Sequence, residues 1–145
     1  MNMELAALNA LEQRIAQASR KDEAIIFATV TNLVDVSGEI AKLCAAQAFA
    51  DAAIRIHRAL LPANGFHLGE TIARKGLAST WRRGEAQMLP FEAATPGLAL
   101  LCATAHHTAR QIQRDRRAQC GVCGGLGWTV TRKGGKRVCR HGAMI

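Results

Sequence analysis

The last 26 residues of the chain carry Cys120-Gly121-Val122-Cys123 and then Cys139-Arg140-His141, with a glycine-rich, basic stretch between the two clusters. A Cys-x-x-Cys turn brings two thiolates to one side of a loop, where both can reach the same tetrahedral ion. A second pair across a short hairpin closes such a site, which is how structural zinc is normally held. The second pair here is Cys-x-His instead of another Cys-x-x-Cys, so the spacing predicts Cys120, Cys123, Cys139 and His141 as the ligands. A loop of this size buries too little surface to hold itself together, which makes the expected Zn2+ structural.

The two remaining cysteines, Cys44 and Cys102, stand singly in apolar, helix-like stretches and read as reduced, buried thiols. Five cysteines so spaced make no disulfide framework, and clustered cysteines in a reducing compartment bind metal more often than they cross-link. The start of the chain holds Glu4 and Glu12 without a basic segment, so it is not a secretory signal. No apolar run is long enough to span a bilayer. The expected location is cytoplasmic, without membrane contact.

With 145 residues, 49 % of them hydrophobic, the chain has material for one domain, or for a helical domain with a small metal-held appendage. Leu5, Leu8, Leu11 and Ile15 recur at helical spacing, predicting an amphipathic helix over 3–19, although Glu12 falls in the same stripe. Ser19 with Asp22 three residues on resembles a helix cap. A second helix is expected over 21–35 with Ile26, Val30 and Leu33 on one face, its β-branched content leaving a strand as the alternative.

Ser37-Gly38 breaks the chain, and a third, alanine-rich helix is expected over 39–61, although Gln47 and Asp51 interrupt its stripe of Ile40, Leu43, Cys44, Ala50, Ile54 and Leu61. His57 in this helix reads as a partly buried structural residue. Pro62-Ala63-Asn64-Gly65 stops it. Glycines then punctuate 66–87, so any helices there are short, and 90–96 reads as a linker. A helix-turn-helix can be drawn through 71–83, although its apolar positions fit the motif poorly; a basic loop anchored by Trp81 is the plainer alternative. Thr95-Pro96 opens a fourth helix over 96–118, with the hydroxyl as cap and proline in the first turn. Its first half is apolar and its second half carries Arg110, Arg114, Arg116 and Arg117. The expected fold class is therefore mainly α, three to four packed helices with a small C-terminal zinc-held β-hairpin. The expected division is a helical body at 1–95 and a helix plus zinc-binding hairpin at 96–145.

The stretch from Cys120 through Gly127 fits C-x-x-C-x-G-x-G, in which glycines let amides turn toward thiolate sulfur. It resembles one repeat of the cysteine-rich zinc module of DnaJ-type co-chaperones, and is similar to zinc elements of small phage and bacterial regulators such as lambdoid antitermination proteins. The resemblance covers 120–141 alone. DnaJ modules carry four such repeats, and Gly142 stands where a second Cys-x-x-Cys would need its cysteine. Residues 1–119 carry no J-domain signature. The resemblance implies bound zinc, and without the J-domain signature a co-chaperone reading is not supported.

Between the ligand pairs, Trp128, Val130 and Val138 around Lys133-Gly134-Gly135 predict a two-stranded hairpin with a glycine turn. Its tip would present Arg132, Lys133, Lys136 and Arg137 to phosphates. Trp128 either packs the miniature core, the simpler reading, or stacks on an unpaired base. An alternative ligand set replaces His141 with His106 or His107, since Cys102 and His106 share a helix face. Residues 73–145 hold thirteen Lys/Arg against three Asp/Glu, while 1–72 hold six against eight, which points to a polyanion at the C-terminal half.

There is no G-x-S-x-G, no phosphate-binding glycine loop followed by Lys-Ser/Thr, and no H-E-x-x-H. None of the eleven acids lies within 120–141, so an open catalytic zinc would lack its usual glutamate. A redox role for Cys120 and Cys123 is weaker still, because the glycines that follow do not start a helix. The chain is therefore expected to be a non-enzymatic regulatory protein contacting nucleic acid or a nucleoprotein complex. The rival expectation is a small phage or bacterial inhibitor or adaptor that binds a host protein through its helical body, with the third helix as a homodimer seam or partner groove.

Overall fold

The computed structural model describes residues 3–35, 37–86 and 90–139. Its elements are α1 (Leu5–Ala16), a 3-10 turn (Arg20–Asp22), α2 (Glu23–Val34), α3 (Glu39–Ala45), α4 (Phe49–Leu60), β1 (Asn64–Glu70), β2 (Gly76–Arg82), β3 (Phe91–Ala93), α5 (Pro96–Ala118), β4 (Trp128–Val130) and β5 (Lys136–Val138). β2 lies between β1 and β3 in one antiparallel sheet, and β4 pairs with β5 in a second. The fold is thus mixed α/β, with five α-helices and two small sheets among the described residues, which corrects the mainly α expectation. Two compact units divide the chain, Met1–Thr108 and Ala109–Ile145, and α5 begins in the first and ends in the second. No helix among the described residues is long and apolar enough to cross a membrane.

The first two helices follow their sequence signals closely. Leu8, Leu11 and Ile15 form the buried stripe of α1. Ser19 and Asp22 make a reciprocal capping box, with the Ser19 amide and hydroxyl each donating to Asp22 Oδ2 at 2.8 Å. In α2 the buried face is Ile26, Phe27, Val30 and Val34, whereas Leu33 is 55 % exposed and does not belong to it. The expected third helix is two helices, α3 and α4, because Gln47 takes a positive φ of 57° and breaks the run. That break resets the phase, so Ile56 and not Ile54 is fully buried.

The larger departure lies at 64–93. Here the glycines that excluded long helices mark strands, and β1 and β2 pair from Asn64↔Arg82 to Glu70↔Gly76. Thr71 closes this hairpin: its amide donates to the Lys75 carbonyl at 2.8 Å, and its hydroxyl accepts from the Lys75 amide at 3.1 Å. Trp81 stands on β2 across from Gly65, where a Cβ would meet its ring at 2.9 Å. No helix-turn-helix exists at 71–83, and Phe91–Ala93, within the expected linker, pairs with Gly76–Ala78 as β3.

From Leu98 to Ala105 every residue of α5 is buried, so this segment is the central rod of the first unit. Thr104 and Thr108 donate back to the carbonyls four residues earlier, which satisfies their hydroxyls inside the core. At the start of the helix, Thr95 Oγ1 accepts the Leu98 amide at 3.1 Å and donates to the Glu23 carboxylate in a short bond. A Cβ on Gly76 would run into the Thr95 carbonyl and the Pro96 nitrogen. Gly76→Ala is therefore expected to destabilise the protein by about 1–3 kcal/mol. Gly69→Ala, with nothing near its would-be Cβ, should be nearly neutral in the same urea titration. Equal losses for the two would refute this packing.

His57, expected to be partly buried, is wholly buried. The Thr80 hydroxyl donates to the Gly65 carbonyl at 2.9 Å, so its oxygen accepts from His57 Nε2–H at 2.9 Å. His57 Nδ1 is buried and meets no hydrogen-bond partner among the described residues. Burial, with smaller contributions from His107 and Arg58, lowers its pKa from 6.5 to about 4. The folded state then binds fewer protons than the unfolded one, so this stabilisation is complete above the unfolded value and is lost as pH falls from 6.5 toward 4. The expected loss is about 3 kcal/mol in urea midpoints followed across that window. A His57 ring resonance titrating near its ordinary value would contradict it.

Candidate metal centre and basic hairpin

In α5 the segment 109–118 ends where the Cys120 amide bonds the Arg117 carbonyl at 3.2 Å. A tight loop follows, in which the Gly124 amide reaches the Cys120 carbonyl at 2.8 Å and the Leu126 amide reaches the Cys123 carbonyl at 3.0 Å. Amides then turn onto sulfur: those of Cys123 and Val122 point at Cys120 Sγ, and those of Gly127 and Gly125 at Cys123 Sγ. Gly127 has a φ of +81°, and a Cβ there would strike the Arg117 guanidinium. That guanidinium donates to the Leu126 carbonyl at 3.1 Å, so Arg117 clasps the loop.

The chain leaves along β4, turns, and returns along β5 in the register Trp128↔Val138, Thr129↔Arg137, Val130↔Lys136. The turn repeats the device of the first hairpin. The Thr131 amide donates to the Gly135 carbonyl at 2.7 Å, and the Thr131 hydroxyl accepts the Gly135 amide at 3.1 Å. Gly134 supplies the positive φ of 77° that Arg74 supplies, at 59°, in the other turn. The return delivers Cys139 to the loop, its amide bonded to the Gly127 carbonyl at 3.0 Å.

Cys120, Cys123 and Cys139 consequently have sulfurs within 4.8 Å of one another. They are the sole group of three or more metal-ligating side chains among the described residues. Cys120 and Cys139 stand 3.6 Å apart, too far for a disulfide and close to the ~3.8 Å edge of a tetrahedron with ~2.3 Å metal–sulfur bonds. The donor set therefore fits a thiophilic tetrahedral ion. Hydrogen bonds from the Cys123 and Val122 amides lower the Cys120 thiol to about 7. Burial pushes the Cys123 thiol up, but the Gly127 and Gly125 amides outweigh it and leave it lowered. Burial and the two neighbouring thiols push Cys139 up to about 11, so it donates to Cys120 until a cation displaces its proton.

The other expected site residues are distributed as follows. His141 lies outside the described residues. His106 Nδ1 meets Glu12 Oε2 at 3.1 Å, and its ring lies against Phe91, while His107 is buried in the first unit. Cys102 is buried with its thiol pushed up to about 11 by desolvation, and Cys44 is half-buried with its thiol also raised by burial. Arg110 and Arg114 are exposed on α5 one turn apart, Arg116 is half-buried, and Arg132, Lys133, Lys136 and Arg137 are all exposed on the hairpin. Trp128 is half-buried beneath the Lys136 ammonium, 4.5 Å from the ring centre, a cation–π contact that spacing alone did not suggest.

Titration of the metal-free protein with Co2+ should give thiolate charge-transfer absorption at one equivalent. Cys120→Ser, Cys123→Ser and Cys139→Ser should each weaken it, and full absorption in any one of them would remove that cysteine from the site. No protein-family model, curated protein or solved structure matches this chain, so its chemistry is read from these residues alone.

Proposed function

We propose that this chain is a non-enzymatic, zinc-containing regulatory protein that contacts nucleic acid or a nucleoprotein complex through its basic C-terminal unit. What carries the reading is the placement of charge. The span Ala109–Ile145 holds nine Lys/Arg and a single acid, Asp115, whereas Met1–Thr108 holds ten of each. The chain's entire formal charge of +8 therefore belongs to the unit with the thiol cluster. A small unit so charged repels itself, and a polyanion relieves that repulsion while releasing its own counterions.

Zinc is the ion this reading assigns to Cys120, Cys123 and Cys139, with His141 as fourth ligand, since soft thiolates with one imidazole select it. The likeness of 120–141 to zinc elements of small regulators agrees with that choice. The zinc here would have a structural task, fixing the base of the hairpin that displays Arg132, Lys133, Lys136 and Arg137. Arg110 and Arg114 are exposed on α5 and add to the unit's positive charge, and Arg117 holds the loop.

A second reading, an adaptor that binds a partner protein through Met1–Thr108, draws on the apolar residues Ile25 and Leu33, 59 and 55 % exposed on α2. Salt separates the two. Elemental analysis should find one zinc per chain, lost in Cys139→Ser and in His141→Ala. Anisotropy titrations with duplex and single-stranded probes should then weaken by about two orders of magnitude or more between ~50 and ~200 mM salt. Neutralising Lys133, Lys136 and Arg137 to glutamine should flatten that dependence. Metal-free protein whose binding ignores salt would sink the nucleic-acid reading and favour the adaptor.

A further inference from the structure

We infer that the β4–β5 ribbon enters the major groove of B-form duplex DNA, with Val130 and Val138 against thymine methyl groups and the hairpin cations on flanking phosphates. The inference rests on the nucleic-acid reading above and narrows it to one class of ligand. The register places the side chains of Trp128, Val130, Lys136 and Val138 on one face of the ribbon, and those of Thr129 and Arg137 on the other. On the first face Val130 is 66 % exposed and Val138 77 %, although both sit among cations. Phosphate contacts alone have no use for two exposed valines. A polyanion that also presents methyl groups does, and thymine displays its C5-methyl in the major groove.

Two further observations favour a duplex over a single strand. Proteins that hold single strands do so by stacking bases on aromatic rings. The C-terminal unit has one such ring, Trp128, and the Lys136 ammonium lies over it at 4.5 Å. Geometry then separates DNA from RNA. Two strands about 4.8 Å apart, with their side chains, match the ~12 Å major groove of B-DNA but not its ~6 Å minor groove. The deep, narrow major groove of A-form RNA does not admit side chains.

The test is an anisotropy comparison of four probes of one A·T-rich sequence: the DNA duplex, the same duplex with deoxyuridine for thymidine, the DNA single strand and the RNA duplex. The thymine duplex should bind tightest, and loss of the methyls should weaken it by up to about fourfold for each methyl buried. The Val130→Ser/Val138→Ser double variant should bind both DNA duplexes alike while keeping the wild-type salt slope. Equal wild-type affinity for the thymine and uracil duplexes overturns the groove inference, as does tighter binding of single strand or RNA. In those cases salt-dependent binding still upholds the nucleic-acid reading. Absence of salt-dependent binding to all four probes overturns that reading and the groove inference with it.

Discussion

The first unit depends on how the buried N-terminus of α5 is satisfied. A helix that starts inside a core exposes amides with no intrahelical partner, and water is not there to meet them. Thr95 answers this by accepting from the Leu98 amide and donating its hydroxyl hydrogen bond to the Glu23 carboxylate. The carboxylate stands at the positive end of the helix dipole, which favours its charge, while burial raises its pKa. Because Glu23 opens α2 and Gly76 opens β2, one polar knot ties together the starts of two helices and a strand. The small residues around it are small for that reason: a Cβ on Gly97 would come within 2.8 Å of Glu23 Oε1 and 3.1 Å of the Phe49 backbone.

Among its described residues the second unit has no comparable core. It contains one aromatic residue, and Val122, Leu126, Val130 and Val138 are largely exposed. Its order comes from the amide-to-sulfur bonds, the Arg117 clasp and the two-strand register, and a metal bound by three thiolates would add the cross-link that apolar burial does not provide. The same poverty of core leaves Arg132, Lys133, Lys136 and Arg137 exposed beside Val130 and Val138.

Thr71 and Thr131 show how far local chemistry reaches. Each closes a hairpin with the same pair of bonds from amide and hydroxyl, one with arginine and one with glycine at the left-handed position. Around Gly134 the glycines and alternating valines made the hairpin legible. Around Arg74 the same turn passed unread, because arginine does not advertise a positive φ and the neighbouring glycines read as helix breakers.

By itself the sequence determined the elements whose cause is local: the capping box of Ser19 and Asp22, the stripe of α1, the Thr95-Pro96 start of α5, and the spacing of Cys120 and Cys123. These rest on contacts within a few residues, so pattern alone carries them. Tertiary structure decided what depends on distant partners. It made 64–93 a sheet, since β1 is a strand only because β2 pairs with it and β3 because of Gly76–Ala78. It also broke the third helix at Gln47 and buried Ile56 and His57 against neighbours that no periodicity names. At the metal centre the division is the same. Spacing proposed Cys139 as a ligand, but only the antiparallel return of β5 brings its sulfur to Cys120, because strand register fixes side chains that lie nineteen residues apart in sequence.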